Sequence, residues 1–452
     1  MRVCVINVVG LTPKLLKFAP NIASVGTARP WRSPLPAVTC TCQATLLTGL
    51  TPRQHGIVGN GWYFRETGEI RFWQQSNRLI LGDKLYQGVD TAKMFWWFNQ
   101  GAPVRYWATP KPHYGCDGSK QFDILDQTEC NLVENIGEFP FASFWGPRAG
   151  LPSSQWIAKA SALVLSKQRP ELTLVYLPHL DYDYQRFSIQ SPARVAEVDQ
   201  CAGWIIQAAK AVDAQVVVIS EYGLVPVNRA VFINRCLREE GFLAVRDGPY
   251  GETLMPLDSK AFAVVDHQLA HVVVHDKSMI ETVRKLLAQL PGVSDVVDPG
   301  DLQLDHPRSG ELIALAEPDA WFAYYYWLDD HRAPDFARTV DIHRKPGYDP
   351  CELFMTSPIR AGLRLLQKRV GLRYRMDVVP LDPSLVKGSH GLRPTAQDGP
   401  VIIGPNWIDT SSVARPTLPL NHRNQNSSQE PVADLPEDMT QFKAYIESLL
   451  RA

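Results

Sequence analysis

Residues 36–60 of this chain read PAVTCTCQATLLTGLTPRQHGIVGN, and the rest of the sequence is interpreted from this stretch. A loop with prolines leads to Thr39, and the pattern after it predicts a helix that stops at Gly49. Thr39 is therefore expected at a helix N-terminus, where free N–H groups and the positive end of the helix dipole favour an anion. Its hydroxyl could cap the helix, or it could be a nucleophile whose phosphorylated form those N–H groups stabilise.

Short apolar runs alternate with helical patterns along the chain. The predicted strands lie at 3–9, 91–98, 172–177 and 216–220, with a helix at 192–211 between the last two. Strands that are apolar on both faces and separated by helices are typical of a mostly parallel sheet. The expected fold class is therefore α/β, with the sheet sandwiched by helices.

A chain of 452 residues exceeds the usual size of a single hydrophobic core, which is about 250–300 residues. Strand-like patterns at 261–275 and 311–316, with a helix at 279–290 between them, indicate an insertion that interrupts the main sheet. We therefore predict a core at 1–225, a cap at 226–340, a second part of the core at 341–405, and a polar tail with a short helix at 406–452.

The charge balance and the distribution of apolar residues exclude some classes of binding partner. Lys and Arg number 46 against 47 Asp and Glu, and no basic run is present, so no nucleic-acid polymer is expected as a partner. No window of about 18 apolar residues occurs, so no membrane span or membrane partner is expected. The first nine residues are typical of a buried strand, and the eight cysteines are scattered, which favours reduced thiols and a cytoplasmic location.

The stretch at 36–60 resembles the nucleophile segment of the nucleotide pyrophosphatase/phosphodiesterase branch of the alkaline phosphatase superfamily. That family places a threonine nucleophile nine residues before a Thr-Gly-Leu-x-Pro-x-x-His-Gly-Ile signature. Thr39 stands nine residues before Thr48-Gly49-Leu50, and Pro52 and His55-Gly56-Ile57 follow in register. The resemblance implies an alkaline phosphatase-like fold, Thr39 as nucleophile and Asn60 as the phosphate-binding asparagine.

Further landmarks of the family concern its two zinc ions. Leu177-Pro-His-Leu-Asp181 resembles the strand that carries an Asp-x-x-x-His metal pair, but Gln185 stands at the histidine position. Gly388-Ser-His390-Gly391 matches the final histidine ligand. The resemblance implies Asp181, Gln185 and His390 as the first metal site.

The second metal site departs further from the family. Glu221 stands at the position of an aspartate and Tyr222 at that of a histidine. Val9 replaces the aspartate of the first strand, and Asn7 lies two residues too early to substitute well. Fewer imidazoles and more oxygen donors indicate Mg²⁺ or Mn²⁺, or a single ion, rather than tightly bound Zn²⁺.

Other residues could complete the metal sphere. If the strand before Asp181 continues, His179, Asp181 and Asp183 would alternate onto one face. Asp341 and His343 could join the metal, while Arg344 and Lys345 could meet a phosphate or carboxylate; the alternative is a polar turn. Asp266, His267 and His271 lie in a β-branched run, which favours a structural role.

The leading hypothesis is a metal-dependent hydrolase that transfers a phosphoryl-type group through Thr39, acting on a small phosphate ester or nucleotide-like substrate. The alternative is a repurposed or non-catalytic ligand-binding member with a degraded metal site, which Val9, Gln185 and Tyr222 favour. A phosphonate-cleaving hydrolase or a phosphomutase on the same scaffold would also need two metals.

Overall fold

A computed structural model describes residues 1–116, 120–187, 191–372, 374–405 and 434–452. Its strands are β1 Arg2–Val8, β2 Thr27–Pro30, β3 Gly61–Phe64, β4 Glu69–Phe72, β5 Thr91–Met94, β6 Tyr106–Tyr114, β7 Lys120–Asp126, β8 Leu172–Leu177, β9 Ala214–Ile219, β10 Val225–Pro226, β11 Arg229–Val231, β12 Val245–Gly248, β13 Gly251–Leu254, β14 Ala261–Asp266, β15 Leu269–Val274, β16 Val293–Val297, β17 Leu312–Ala316, β18 Ala320–Phe322, β19 Gly388–Ser389 and β20 Val401–Gly404. Its α-helices are α1 Pro20–Ala23, α2 Thr39–Thr48, α3 Pro52–His55, α4 Leu132–Ile136, α5 Leu151–Gln168, α6 His179–Arg186, α7 Pro192–Lys210, α8 Ile233–Glu239, α9 Ile280–Ala288, α10 Pro358–Arg369 and α11 Phe442–Arg451. The predicted polar tail falls largely on residues 406–433, outside the described ranges, and its terminal helix is α11.

The central sheet has the strand order β2-β20-β9-β1-β8-β5-β6-β7. From β9 to β6 all neighbouring strands are parallel, and the strands at the two edges are antiparallel. Every residue of β8 is buried, as the apolar pattern of that run predicts. The predicted α/β class with a mostly parallel sheet is confirmed.

Helices flank this sheet. The long helices α5 and α7 pack against each other and against β8 and β9, while α11 packs on β1 and α2. In α11 the apolar residues Phe442, Tyr445, Ile446 and Leu449 recur at helical spacing and are buried. Within the described ranges, none of the helices combines the length and the apolar character needed to cross a bilayer.

A second, antiparallel sheet with the order β14-β15-β17-β16 lies within the segment predicted as an insertion. The run at 261–275, expected to be strand-like throughout, is a hairpin in which Asp266 pairs with Leu269. His267 begins the tight turn with a left-handed φ of 63°. This turn carries His267 toward the central sheet.

Two predicted strands need correction. The strand expected at 91–98 ends at Met94, because Phe95 and Phe98 adopt left-handed φ angles of 64° and 61° that break the pleat. The segment after β8 does not continue as a strand but becomes helix α6. His179, Asp181 and Asp183 therefore do not alternate onto one strand face.

Candidate active site at the carboxyl ends of the central strands

The candidate site lies where three neighbouring parallel strands end. Strand β1 ends at Val8, β8 at Leu177 and β9 at Ile219, and parallel pairing places these ends at the same edge of the sheet. Asp181 follows β8, and Glu221 and Tyr222 follow β9. The carboxyl edge of the sheet thus gathers residues that are far apart in sequence.

Thr39 is the first residue of α2 and is only 3% exposed. Val38 occupies the N-cap position, and no side chain caps the helix. The hydroxyl of Thr39 therefore makes no capping hydrogen bond. Its Oγ1 lies 2.9 Å from the phenolic oxygen of Tyr222, and the two hydroxyls share a hydrogen bond. The hydroxyl therefore faces the strand ends rather than its own helix.

Asn60 is held beside Thr39 by three hydrogen bonds. Its Oδ1 accepts a bond of 3.0 Å from the backbone N–H of Cys40. Its Nδ2 and its backbone N–H donate to the two carboxylate oxygens of Asp266, at 3.1 and 2.6 Å. Burial raises the pKa of Asp266 to about 7, although both Asn60 bonds oppose the rise. The cap thus supplies a carboxylate that engages the predicted phosphate-binding asparagine.

Asp181 and Gln185 lie one turn apart on α6. The amide nitrogen of Gln185 donates to Asp181 Oδ2 at 2.9 Å, and its amide oxygen accepts from the hydroxyl of Tyr348 at 2.8 Å. Burial raises the pKa of Asp181 to about 7, and the bond from Gln185 opposes the rise. Gln185 therefore presents a donor to Asp181 where a histidine ligand would present a lone pair.

His390 approaches Asp181 from the other side of the site. Its Nδ1 lies 2.7 Å from the carbonyl oxygen of Ala37, which can only accept, so Nδ1 carries the proton and Nε2 has a free lone pair. That Nε2 lies 3.6 Å from Asp181 Oδ1. Burial lowers the pKa of His390 to about 3, so the imidazole is neutral at physiological pH.

Four rings stack in series across the site. Tyr222 lies on His390 with ring centroids 3.6 Å apart and planes at 8°, His267 lies 3.6 Å from the other side of His390, and Tyr348 lies 3.7 Å from His267. The backbone N–H of Gln268 also donates to the carbonyl of His390 at 3.0 Å. All four rings are buried, and His267 brings the turn of the β14–β15 hairpin into the site.

Glu221 lies on the β1 side of this stack. The amide of Asn7 donates to its Oε1 at 2.5 Å. Burial raises the pKa of Glu221 to about 8. Asn7, which is expected to lie too early on its strand to bind a metal, therefore reaches the site by its bond to Glu221. Val9 is buried and has no side-chain atom that could bind a metal.

The candidates at 341–345 lie apart from these residues. Asp341 Oδ2 pairs with Lys120 at 2.9 Å, and His343 Nδ1 lies 3.4 Å from the carbonyl of Phe72. Lys345 is buried and is bound to Asp349 and Glu352, each at 2.7 Å. Arg344 pairs with Asp341 at 3.5 Å and is half-exposed. The ligand-rich turn is thus held in its own ion-pair network.

Asp183 and His179 of α6 also point away from the candidate site. Asp183 pairs with Arg186 at 2.9 Å and with Arg194 at 3.5 Å. His179 is fully buried, and burial lowers the pKa of its imidazole to about 3. On a helix, residues two positions apart from Asp181 face different directions, so neither shares its orientation.

Asp266, His267 and Tyr348 are site residues that the sequence did not indicate as such. The β-branched surroundings of Asp266 and His267 favour a structural role, and the structure places both in the site instead. Their only local signal is a polar Asp-His-Gln triplet within an apolar run, which is the pattern of a tight hairpin turn. Tyr348 carries no local signal for a site.

The mostly parallel central sheet and its flanking helices have the fold of the alkaline phosphatase superfamily. A family model described as type I phosphodiesterase / nucleotide pyrophosphatase matches residues 3–349. The chain belongs to this family.

Relatives agree with this assignment. An uncharacterized pyrophosphatase/phosphodiesterase of Schizosaccharomyces pombe is 27% identical over 241 residues, which are 50% of this chain and 44% of that protein. The chain thus matches less than half the length of this relative.

Solved structures share the fold at low sequence identity. Phosphonoacetate hydrolase from Sinorhizobium meliloti 1021, in complex with phosphonoformate, has a TM-score of 0.60 at 14% identity, covering 100% of this chain and 96% of that one. Murine ectonucleotide pyrophosphatase/phosphodiesterase 5 has a TM-score of 0.54 at 13% identity, covering 100% and 95%.

The two-ion centre that the family implies does not fit the residues present. Val9 offers no ligand atom, and burial keeps the pKa of the Tyr222 phenol far above its usual value, so the phenol retains its proton. Gln185 turns its amide nitrogen toward Asp181. Among the residues that the structure describes, no group of three or more His, Cys, Asp or Glu side chains is arranged to hold an ion.

A smaller donor pair remains. Asp181 Oδ1 and His390 Nε2 face each other at 3.6 Å, both are buried, and neither has a hydrogen-bond partner within the described part of the chain. Buried polar atoms normally have a partner, because an unpaired one costs about 1–3 kcal/mol. A single ion or a shared proton would satisfy both atoms.

Proposed function

We propose that this chain is a phosphoric ester or anhydride hydrolase in which Oγ1 of Thr39 accepts the transferred group. The observation that carries the proposal is the position of Thr39, which begins α2 with a hydroxyl not used for capping. Asn60, bound to the next backbone N–H, stands beside it. The first N–H groups of a helix and its dipole stabilise an anion at this position.

The substrate class we propose is a small phosphate ester or nucleotide-like compound. An inactive variant of murine ectonucleotide pyrophosphatase/phosphodiesterase 5, with a threonine replaced by alanine, was solved in complex with AMP. The bacterial phosphonoacetate hydrolase was solved with phosphonoacetate and with phosphonoformate. Each of these ligands carries a phosphorus oxyanion, which matches an anion site at the N-terminus of α2.

In the proposed reaction, the bond between Thr39 Oγ1 and phosphorus forms as the bond to the leaving group breaks. A threonine hydroxyl is a weak nucleophile at neutral pH, so its proton must pass to a neighbouring base or be released by a metal. Glu221 is the carboxylate next to Thr39, and we assign its ionised form the role of receiving that proton; because burial raises the pKa of Glu221 to about 8, this form increases as the pH rises toward 8. Water then adds to phosphorus as the bond between phosphorus and Thr39 Oγ1 breaks, and one proton of the water passes through Glu221 to Oγ1.

For the cofactor we propose one divalent ion, Zn²⁺, Mg²⁺ or Mn²⁺, held by Asp181 Oδ1 and His390 Nε2. The unpaired, buried state of these two atoms supports this assignment. Such an ion would supply positive charge opposite the phosphoryl oxygens. Gln185 and Tyr222 are bonded to protein groups instead, and Glu221 accepts from Asn7 through Oε1, while its buried Oε2 has no hydrogen-bond partner among the described residues.

A cytoplasmic location is part of the same proposal. It is supported by the cysteines, all eight of which are free thiols. Free thiols are typical of reducing compartments.

A second candidate function is ligand binding without catalysis. The ring stack of Tyr222, His390, His267 and Tyr348 favours it, because these rings fill the space between the strand ends and the cap. The hydroxyl of Thr39 is also already bonded to Tyr222.

Turnover of chromogenic phosphate mono- and diesters by the wild type, Thr39→Ala and Thr39→Ser separates the two functions. We expect Thr39→Ala to lose activity by at least a hundredfold and Thr39→Ser to retain part of it. Thr41→Ala is the matched control, since Thr41 is buried on the same helix and should not affect turnover. Full activity in folded Thr39→Ala would refute the nucleophile assignment.

Metal analysis of the same proteins tests the cofactor separately. We expect at most one ion per chain, lost in Asp181→Ala and in His390→Ala. If the wild type hydrolyses no ester with any of the three ions, yet binds AMP or a phosphonate in calorimetry, ligand binding is the function.

A further inference from the structure

Helix α10, Pro358–Arg369, presents an apolar surface to solvent. Ile359 is 77% exposed, Leu363 58%, Leu366 56% and, just after the helix, Val370 61%. No residue of the helix is buried. Large apolar side chains exposed side by side on a stable helix indicate a binding surface rather than chance.

These four residues form one stripe. Their spacing of four, three and four positions places them on a single face of an α-helix, within about 80° of arc. The half-buried residues are Ala361, Arg364 and Gln367, on the side of the helix centred on Arg364, while Leu365 is a further apolar residue, 56% exposed, outside the stripe. The helix therefore rests on the protein with its polar side and turns its apolar stripe outward.

Salt bridges fix this orientation. Arg360 and Arg364 both pair with the carboxylate of Asp377, which is only 7% exposed, and the Arg364 Nε to Asp377 Oδ1 distance is 2.8 Å. The two arginines lower the pKa of Asp377 to about 2, overcoming the opposite effect of its burial. The stripe is thus held away from the core and cannot turn inward without breaking these pairs.

All charged side chains of helix α10 are positive. Residues 358–369 contain Arg360, Arg364, Lys368 and Arg369 and no Asp or Glu. Asp377 is shared between the first two, and Lys368 and Arg369 are exposed. By helical spacing Arg360 and Arg369 lie about 90° to either side of the stripe, whereas Lys368 lies nearly opposite it. An apolar stripe flanked by arginines is typical of helices that lie in the interface of an anionic membrane.

We propose that α10 binds the surface of an anionic lipid bilayer, lying parallel to it with Ile359, Leu363, Leu366 and Val370 among the acyl chains. A second copy of this chain fits less well, because two such helices face to face would bring cationic residues together. The helix is about 18 Å long, too short for a hydrocarbon core of about 30 Å, so it would lie on the membrane and not cross it. The sequence predicts no membrane partner, and a helix that lies on the bilayer surface departs from that expectation.

Vesicle co-sedimentation of the full chain tests the proposal. The probes are phosphatidylcholine vesicles with and without 30% phosphatidylglycerol, at low and high salt. We expect binding to the anionic vesicles at least tenfold tighter than to the neutral ones, and weaker at high salt. Leu363→Glu/Leu366→Glu should reduce binding at least tenfold, and Arg369→Gln, which removes one flanking cation, about fivefold. These residues are exposed, so the variants should fold, which circular dichroism checks.

Leu257→Glu is the matched control, because Leu257 is 67% exposed but lies outside the stripe, and it should bind as the wild type does. Failure of the wild type to bind anionic vesicles, or equal binding by the stripe variants, would overturn the proposal. Light scattering of the same samples covers the competing occupant: a wild-type dimer that Leu363→Glu/Leu366→Glu converts to a monomer would assign the stripe to a second copy instead.

Discussion

Thr39 and Tyr222 are joined by a hydrogen bond of 2.9 Å between Oγ1 and the phenolic oxygen, in the buried centre of the site. The family resemblance implies a histidine ligand at the position of Tyr222, and here that position supplies a hydroxyl bonded to Thr39. This bond connects the N-terminus of α2 to the end of β9, across 183 residues of sequence.

We expect a coupling of about 1 kcal/mol between these two residues, because a buried hydrogen bond contributes about that much to stability. The measurement is a double-mutant cycle of Thr39→Val and Tyr222→Phe, followed by urea unfolding. Tyr324→Phe is the control, since Tyr324 is also fully buried and its hydroxyl has no partner within the described residues. Additive effects of the two substitutions would contradict the bond.

Introducing the ligands that the family resemblance implies should strengthen metal binding. We predict that the variant Val9→Asp/Gln185→His/Glu221→Asp/Tyr222→His binds one to two zinc ions, because each change supplies a ligand type that zinc prefers. Added zinc should stabilise this variant by about 4 kcal/mol at a thousandfold excess over its dissociation constant, and the wild type by much less. Elemental analysis and thermal unfolding with and without zinc measure both effects.

The same variant with His390→Ala is the control, and it should bind less zinc. A restored variant that folds but remains metal-free would show that the backbone of the site has also changed.

Gly223 is predicted to be intolerant of a side chain. A Cβ at this position would lie 1.8 Å from the carbonyl oxygen of Asp398, a backbone atom that cannot rotate away. We expect Gly223→Ala to lower the free energy of unfolding by about 2 kcal/mol or more, since overpacking against backbone forces the chain apart. At Gly300 a Cβ would meet nothing within 4 Å, so Gly300→Ala should change stability by less than about 0.5 kcal/mol.

Lys93 should make stability depend on pH. Its buried ammonium group donates to the carbonyls of Trp97 and Phe98 at 3.2 Å, and burial lowers its pKa from 10.5 to about 7. Between these values the unfolded chain binds more protons than the folded one, so stability rises with pH, by at most about 1.4 kcal/mol per unit. Below pH 7 both states are protonated and the cost of burying the charge is fully present.

From pH 7 to 9 the free energy of unfolding should therefore rise by roughly 2 kcal/mol more in the wild type than in Lys93→Met. Urea unfolding of both proteins at the two pH values measures the difference. Parallel pH dependences would mean that Lys93 is not the group responsible.

Local sequence predicted much of the fold. The run at 172–177 is apolar on both faces, and such a strand is stable only inside a covered parallel sheet, where β8 lies. The helix after Thr39 was predictable because Gly49 ends it with a left-handed φ of 70°, which glycine adopts without strain. The run at 91–98 was mispredicted, because the left-handed turns at Phe95 and Phe98 have no glycine or asparagine to mark them.

The sequence by itself determined the class of the central sheet, the place of Thr39 at a helix start, and the departures from the family's pattern at Val9, Gln185 and Tyr222, since each of these depends on short-range pattern or residue identity. Only the tertiary structure decided which distant side chains join the site. Asp266 binds Asn60 across 206 residues of sequence, and His267 enters the site only because the cap hairpin turns toward the strand ends. Such contacts depend on how distant elements pack, and local periodicity carries no information about that packing.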